Sequence, residues 1–201
     1  MLYTTLRIIF AVIFQLLFRA KTYGKENLPA EGPVILAANH MSNWDPPLLA
    51  TFLPRPVSYR AKLELVEHPI FGAAIRRCHA FPVKRGAADR GAIKAAVNVL
   101  RQGRVLGLFP EGTRSKDGKL HKAEAGVGLL AAMSGAPVVP ACIVGTDRIM
   151  QKGGFLPKLS IMYGEPMHFT GDKRDKEQLE AFSQEIMAHI AVMREEIEKI
   201  S

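Results

Sequence analysis

Short apolar runs alternate with segments of helical periodicity along most of the chain, after a turn-rich linker at residues 22–33. Runs of this length are typical of buried strands. They lie at Val34–Ala37, Val57–Arg60, Phe81–Val83, Val105–Phe109, Val138–Val144 and Leu159–Tyr163. Strands that alternate with helices predict an α/β fold, here a single layered domain with a mixed, mostly parallel sheet flanked by helices.

The segments between these runs predict five helices after the linker. Asp89–Gln102 has apolar residues at i, i+3, i+4 and i+7, and Gly103 follows at the place of a C-cap glycine. The last helix, from about Glu177 to Ile200, carries one apolar face. Asp45-Pro46 is typical of an N-cap followed by proline at the first helical position. The three remaining helices are predicted from Asp45 to near Pro54, at Leu63–Cys78 and at Ala123–Ser134.

The N-terminal segment Leu2–Phe18 is mostly apolar but is interrupted by Arg7 and Gln15. A membrane-spanning helix needs about 20 apolar residues, so a run this short is more typical of a helix in the membrane interface. We therefore predict a membrane-associating helix at residues 1–21 and one further domain at residues 22–201. A core helix is the alternative. Arg7, Arg19 and Lys21 could contact lipid phosphates.

The composition limits the classes of binding partner but does not identify one. The chain is 48% hydrophobic and 23% charged, as in ordinary globular proteins, and its net charge is +8. A positive charge favours anionic lipid headgroups, phosphorylated metabolites or nucleic acid. Cys78 and Cys142 lie in apolar contexts and are interpreted as core residues in a reducing compartment. Because no cysteine or histidine spacing is that of a metal site, we expect no metal.

The first candidate site is Asn39-His40-Met41-Ser42-Asn43-Trp44-Asp45, which follows a predicted strand and opens a predicted helix. On a continuous helix His40 and Asp45 would lie about 140° apart, so they can meet only if the chain turns at Ser42-Asn43. An aspartate bonded to one imidazole nitrogen leaves the other to accept a proton, as a general base for an alcohol requires. In the alternative interpretation Asp45 only caps the helix and His40 is a surface residue.

The second candidate site is Phe109-Pro110-Glu111-Gly112-Thr113-Arg114-Ser115, at the end of the predicted fourth strand. Gly112 would let the backbone approach a ligand, and Thr113 offers a hydroxyl. Arg114 could bind a phosphate through two parallel hydrogen bonds. An ordinary turn with an exposed arginine is the alternative.

A third candidate site is Phe81–Gly86, where Lys84 and Arg85 follow a short predicted strand. Two adjacent cations at a strand end suit an anionic ligand. A solvated charge pair is the alternative.

Together and in this order, these blocks resemble the lysophosphatidic acid acyltransferase family (1-acyl-sn-glycerol-3-phosphate acyltransferases), in particular its compact bacterial members. Asn39-His40 through Asp45 looks like the NHxxxxD motif, and Phe109–Ser115 looks like the FPEGTRS motif about seventy residues later. Phe81–Gly86 is a looser match to the second block, and Val138–Ala141 is similar to the fourth. The resemblance covers about half the chain, and its specificity comes from the first and third motifs as a pair.

The resemblance implies a glycerolipid acyltransferase-like fold and an O-acyltransferase that moves a fatty acyl group from acyl-CoA or acyl carrier protein to the sn-2 hydroxyl of lysophosphatidic acid. It implies that His40, oriented by Asp45, is the general base of a direct transfer to give phosphatidic acid. The residues implied to bind the acceptor's phosphate are Lys84, Arg85, Glu111, Gly112, Thr113 and Arg114. No cofactor is implied beyond the thioester co-substrate. The implied partners are membrane lipids and the two substrates, at the cytoplasmic face of the cell membrane, with a peripheral or monotopic attachment.

Three alternative functions stay open at this point. The same chemistry could act on glycerol 3-phosphate or another lysophospholipid. A non-catalytic protein could bind anionic membranes through its basic surface, which would require the pairing of His40 and Asp45 to be incidental. A nucleic-acid binder rests on charge alone, because no recognisable nucleic-acid-binding motif is present, so we expect no nucleic-acid partner.

Overall fold

The structure is a computed structural model that describes residues 2–62, 81–83, 90–150 and 156–200. These residues contain five α-helices, two short 3-10 helices and seven strands. The helices are α1 (Leu2–Leu16), α2 (Asp45–Thr51), α3 (Arg90–Arg101), α4 (Gly126–Ser134) and α5 (Lys176–Ile200). The strands are β1 (Lys21–Tyr23), β2 (Val34–Ala38), β3 (Val57–Lys62), β4 (Phe81–Val83), β5 (Val105–Leu108), β6 (Val138–Val144) and β7 (Ser160–Tyr163). The predicted helix at Leu63–Cys78 lies outside the described residues.

The strands form one sheet in the order β1-β7-β6-β2-β5-β3-β4. Only the β6–β7 pair is antiparallel, and every other neighbouring pair is parallel. The predicted fold class, a mixed and mostly parallel sheet flanked by helices, is therefore confirmed. Because β6, β2 and β5 are adjacent and parallel, their carboxyl ends lie side by side at one edge of the sheet.

Strand β2 is buried on both faces, which explains why its sequence is a continuous apolar run rather than an alternating one. Val34, Leu36 and Ala38 belong to the core cluster that contains residues of α1 and α2. Ile35 and Ala37 belong to the opposite cluster, with residues of α3, α4 and α5. Helices thus cover both faces of the sheet, and the chain passes from one face to the other around β2 and β5.

Strand β1 was not predicted, because residues 22–33 read as a linker. Lys21–Tyr23 pairs with Ser160–Tyr163 at the edge of the sheet. A three-residue edge strand that buries little of its surface leaves no apolar pattern in the sequence. Helix α2 also differs from the prediction, since it ends at Thr51 rather than near Pro54.

Helix α1 packs one face on the core and exposes apolar residues on another. Phe14 is fully buried, and its ring contacts those of Phe10, Phe18 and Trp44 at centroid distances of 5.7, 6.2 and 6.5 Å. The exposed apolar side chains of α1 and the residue after it are Leu2, Ile8, Ile9, Val12, Leu16 and Leu17. None of the helices in the described ranges has the length and apolar character needed to cross a membrane. The boundary predicted after residue 21 stays a prediction.

Candidate active site

Three chain segments meet at the carboxyl ends of β2, β5 and β6. Asn39 and His40 follow β2, the Phe109–Ser115 block follows β5, and Gly145-Thr146 follows β6. Ligand sites in open α/β sheets form where neighbouring strands lead to helices on opposite faces. Strand β2 leads to α2 on one face and β5 leads to α4 on the other, so this edge meets that condition.

Asn39 ends the pairing of β2 with β6 through its side chain. Its Nδ2 donates to the Ile143 carbonyl at 2.9 Å, and its Oδ1 accepts from the Ile143 N–H at 2.7 Å. The backbone of His40 is therefore turned toward the β5 side. There the His40 N–H donates to Glu111 Oε1 at 2.9 Å, and the His40 carbonyl accepts from the Ser115 N–H at 2.8 Å. The predicted first and second candidate sites are thus hydrogen-bonded to each other at His40.

The turn between His40 and Asp45 is organised by the Asp45 carboxylate. Oδ2 of Asp45 accepts from His40 Nδ1 at 2.8 Å, from the Met41 N–H at 2.6 Å and from the Ser42 N–H at 2.7 Å. The Asp45 N–H closes the turn on the Ser42 carbonyl at 3.2 Å. A turn rather than a helix between the two residues is what brings the imidazole and the carboxylate together.

The predicted helix-capping role of Asp45 is wrong. Helix α2 begins at Asp45 itself, Trp44 occupies the N-cap position, and no side chain caps the helix. The carboxylate faces back toward residues 40–42 instead of forward along α2, because two backbone N–H groups and an imidazole compete for it there. Asp45 is fully buried, and these donors compensate for the loss of water.

The ring of His40 is held in one orientation. An ionised carboxylate only accepts hydrogen bonds, so Nδ1 of His40 carries the proton that points at Asp45. The ring also stacks on Phe109 at a centroid distance of 4.0 Å and an interplanar angle of 16°. Among the described residues, none bonds to Nε2 of His40, whose side chain is 18% exposed. Nε2 is therefore the nitrogen that can accept a proton from a ligand.

Glu111 holds the backbone of two segments through its carboxylate. Its Oε1 accepts from the His40 N–H, and its Oε2 accepts from the His121 N–H at 2.9 Å. The residue is only 6% exposed. A buried carboxylate that accepts two backbone N–H groups would repel a phosphate rather than bind it. These contacts favour a positioning role for Glu111, and the substrate-binding role implied by the resemblance stays a prediction.

The neighbouring residues Gly112, Thr113 and Arg114 are exposed. Gly112 has a left-handed φ of 69°, and a Cβ there would overlap the Glu124 carboxylate. The positive φ favours glycine here, whereas the end of the exposed Glu124 side chain could move aside. The predicted approach of a ligand to the backbone at Gly112 stays a prediction. Arg114 donates from Nη1 to Asn43 Oδ1 at 3.0 Å, so its guanidinium lies beside the turn at residues 40–45. Lys84 and Arg85 lie outside the described residues.

Two residues at the site were missed from the sequence. Thr146 donates from Oγ1 to Asp45 Oδ1 at 2.5 Å and is 1% exposed. The ring of Tyr59 stacks with that of Phe109 at a centroid distance of 6.4 Å. Burial raises the pKa of the Tyr59 hydroxyl well above its ordinary value, and Tyr163 adds to this. The sequence shows Thr146 only as a hydroxyl residue shortly after a predicted strand. That this strand neighbours β2 is known only from the structure.

The described residues include one cysteine and no cluster of metal-binding side chains. There, no group of three or more His, Cys, Asp or Glu side chains could hold a metal ion. Cys142 is buried, as expected of a core residue, and burial raises the pKa of its thiol to about 12. Cys78 lies outside the described residues.

Comparison with known proteins gives concordant matches. Residues 19–144 match the acyltransferase family. The chain is 32% identical to the 1-acyl-sn-glycerol-3-phosphate acyltransferase of Bacillus subtilis, over 94% of this chain and 95% of the relative. It is 29% identical to the enzyme of the same name from Streptococcus pneumoniae, over 98% of this chain and 74% of the relative.

A solved structure is also similar over nearly the whole chain. The crystal structure of the 1-acyl-sn-glycerophosphate acyltransferase PlsC from Thermotoga maritima has a TM-score of 0.78 and 28% sequence identity. The match covers 98% of this chain and 79% of that chain. The likeness thus extends from the sequence motifs to the arrangement of the whole fold.

Proposed function

This chain belongs to the acyltransferase family and acylates 1-acyl-sn-glycerol 3-phosphate to phosphatidic acid, and we propose that His40 and Asp45 catalyse the transfer. The observation that carries the proposal is the 2.8 Å hydrogen bond between His40 Nδ1 and Asp45 Oδ2. It leaves Nε2 as the base, at a strand edge where an exposed arginine can meet an anionic headgroup.

The transfer is direct in this mechanism. Nε2 of His40 accepts the proton of the sn-2 hydroxyl while the hydroxyl oxygen attacks the thioester carbonyl carbon. The imidazolium that forms is stabilised by the buried Asp45 carboxylate. Collapse of the tetrahedral intermediate breaks the carbon–sulfur bond, and the leaving thiolate takes the proton back from His40. The products are phosphatidic acid and a free thiol. General-base assistance of this kind is worth about 10²–10⁴ in rate.

The acceptor's phosphate is proposed to bind at the exposed Gly112–Arg114 segment. The guanidinium of Arg114 bonds to Asn43 and so lies beside the proposed catalytic turn, residues 40–45. It can form two parallel hydrogen bonds to phosphate oxygens. The exposed Thr113 offers a hydroxyl at the same place. Lys84 and Arg85, whose block resembles the family's second motif, are proposed to add positive charge there.

The donor is proposed to be a fatty acyl thioester of either coenzyme A or acyl carrier protein. The purified protein, in detergent micelles with lysophosphatidic acid, should release free thiol from one of these donors and form phosphatidic acid. Parallel reactions with glycerol 3-phosphate and lysophosphatidylcholine test the acceptor. His40→Ala serves as the catalytic control. More than a few per cent of activity in this variant would remove the general-base role.

We further propose that the enzyme works at the cytoplasmic face of the cell membrane, attached through α1. Its side chains Ile8, Ile9, Val12 and Leu16 are 57%, 47%, 49% and 74% exposed. Trp44 of the catalytic turn is 36% exposed and contacts Phe14 of α1. Tryptophan is enriched at membrane interfaces, and the net charge of +8 favours anionic lipids. The apolar surface and the catalytic turn would thus approach the lipid acceptor together.

Vesicle binding tests the attachment. Removing the N-terminal residues would also remove Phe14 from the core, so point variants are preferable. The triple substitution Ile8→Asp, Ile9→Asp and Val12→Asp should release the protein from sedimenting vesicles that contain phosphatidylglycerol. Val192→Asp is the matched control, because Val192 is an equally exposed apolar residue on α5 (57%). Equal sedimentation of the triple variant and the control would place the attachment elsewhere.

A further inference from the structure

We propose that Thr146 is a positioning residue for catalysis, acting on His40 through Asp45. This inference rests on the proposed role of His40 and Asp45 in the transfer. The observation behind it is a buried hydrogen bond, in which Thr146 Oγ1 donates to Asp45 Oδ1 at 2.5 Å across 101 residues of chain.

The two oxygens of the Asp45 carboxylate have very different surroundings. Oδ2 accepts from the His40 ring and from the Met41 and Ser42 N–H groups. Oδ1 accepts from Thr146, the only described residue that donates to it. Asp45 is fully buried, so water does not reach Oδ1 from bulk solvent. Without the threonine hydroxyl, half of a buried negative charge would lack a hydrogen-bond donor, which is costly in a low-dielectric interior.

The fold delivers Thr146 to this place through strand β6. Strand β6 pairs with β2 in parallel, so both strands end at the edge where the catalytic turn begins. Gly145 follows β6 with a φ of 97°, and a Cβ there would overlap the Lys158 carbonyl. The glycine therefore permits the sharp change of direction that turns Thr146 inward, where the residue is 1% exposed.

The bond gives the carboxylate a fixed plane. Three donors on Oδ2 and one on Oδ1 prevent rotation about the terminal torsion of Asp45, which is otherwise a soft motion. A fixed carboxylate plane holds the Nδ1–H of His40 and so directs Nε2 at the acceptor hydroxyl. Loss of the Thr146 hydroxyl should therefore lower kcat, whereas the KM values should change little, because Thr146 and Asp45 are both buried.

The test compares Thr146→Val with Thr146→Ser in the full-length enzyme. Valine keeps the volume and removes the donor, and serine keeps the donor. We expect Thr146→Val to lower kcat about ten- to a hundredfold, by analogy with the range known for hydrogen-bond partners of metal-ligating side chains. Thr146→Ser should stay within about threefold of the wild type, and the KM for lysophosphatidic acid should stay within about twofold in both. Should the valine variant fail to fold, Thr146→Cys offers a weak donor of similar size for the same comparison.

A double-mutant cycle with Asp45→Asn shows whether Thr146 acts through Asp45. In that background the buried carboxylate charge is absent, so loss of the Thr146 hydroxyl no longer leaves a charged oxygen without a donor. Thr146→Val should therefore cost less than about threefold in the Asp45→Asn background. Equal losses in both backgrounds, or a serine variant as slow as the valine variant, would overturn the inference. Full activity of Asp45→Asn and His40→Ala would instead contradict the proposed function itself, so the two failures are distinguishable.

Discussion

The proposed catalytic turn, residues 40–45, and the proposed phosphate-binding segment, Gly112–Arg114, lie next to each other but differ in burial. In the turn, the Asp45 carboxylate is fully buried and accepts four hydrogen bonds from within the protein. In the Gly112–Arg114 segment all three residues are exposed. The two regions are joined through Glu111, which precedes the exposed segment and accepts the N–H of His40. The proposed general base is thus held by buried hydrogen bonds next to an exposed segment.

This difference in burial matches the role proposed for each region. A general base must be aligned before the substrate arrives, because misplacement by about 1 Å costs as much as a hundredfold in rate. A lipid headgroup, in contrast, comes from the membrane, so its binding groups have to be accessible. Substitutions in the turn should therefore act on kcat, and substitutions in the exposed segment on the KM of the acceptor.

The largest effect is expected from Asp45→Asn. The amide can keep the geometry by placing its oxygen toward His40 and its NH₂ group toward Thr146, but the negative charge is lost. The imidazolium that forms during transfer then has no counter-charge, and kcat should fall by about 10²–10⁴. Steady-state kinetics in mixed micelles measure this effect. A loss smaller than about threefold would mean that the charge of the turn does not matter to the reaction.

Glu111→Gln should produce the next largest effect on kcat. It tests whether the alignment of His40 also depends on the Phe109–Ser115 block. The glutamine NH₂ would face one of two buried backbone N–H groups, leaving a donor unsatisfied at a cost of about 1–3 kcal/mol in unfolding free energy. Because one of these groups belongs to His40, kcat should fall by about tenfold or more with little change in KM.

The matched control for Glu111→Gln is Glu180→Gln, the same chemical change at an exposed position on α5. Urea unfolding and initial rates measured together separate stability from catalysis. A raised KM for the acceptor with an unchanged kcat would return Glu111 to the substrate-binding role implied by the sequence resemblance.

How far the sequence predicted these regions depends on whether each contact is local. The pairing of His40 with Asp45 could be anticipated, because both residues lie in one short segment with turn-forming residues between them. The direction of the Asp45 carboxylate could not, since capping α2 and facing back to residues 40–42 are both compatible with the sequence. Thr146 reaches Asp45 across 101 residues, and nothing in the local pattern indicates such a partner.

The same argument applies to the fold. Strands buried on both faces, such as β2 and β6, left apolar runs that predicted them to within a residue. The edge strand β1 left none, because it is held by backbone pairing with β7 rather than by burial of its side chains. Sequence patterns thus record burial well, and record long-range hydrogen bonds poorly.

Arg114→Ala tests the exposed side of the comparison and should have a smaller effect than either carboxylate substitution. Loss of a charged, two-pronged contact with phosphate should raise the KM for lysophosphatidic acid about tenfold and leave kcat within about threefold. Arg114→Lys keeps the charge but not the paired geometry and should fall in between. If the KM of the thioester donor rises instead, the segment belongs to the donor side of the site.

Asp117→Asn should have the smallest effect on kcat. Asp117 lies at the surface and holds the loop that follows Gly112–Arg114. Its Oδ1 accepts from the Ser115 hydroxyl at 3.0 Å, the Lys119 N–H at 3.1 Å and His121 Nε2 at 3.0 Å. The Lys119 N–H, followed by the Ser115 hydroxyl, lowers the pKa of this carboxyl to about 2. A lowered pKa means that the support is present above the ordinary value of 3.8 and is lost as the pH falls through about 2.

The amide signal of Lys119 in an NMR titration reports on this support directly. In the wild type it should shift with a midpoint near pH 2, and in Asp117→Asn the acid shift should disappear. Because the carboxylate is half-exposed, its hydrogen bonds are screened by water, and kcat should stay within about threefold. A midpoint near 3.8 would mean that the loop does not hold Asp117. A large loss of kcat in Asp117→Asn would mean that the alignment of His40 also depends on this surface loop. The proposed distinction between a fixed base and an exposed binding segment would then be wrong.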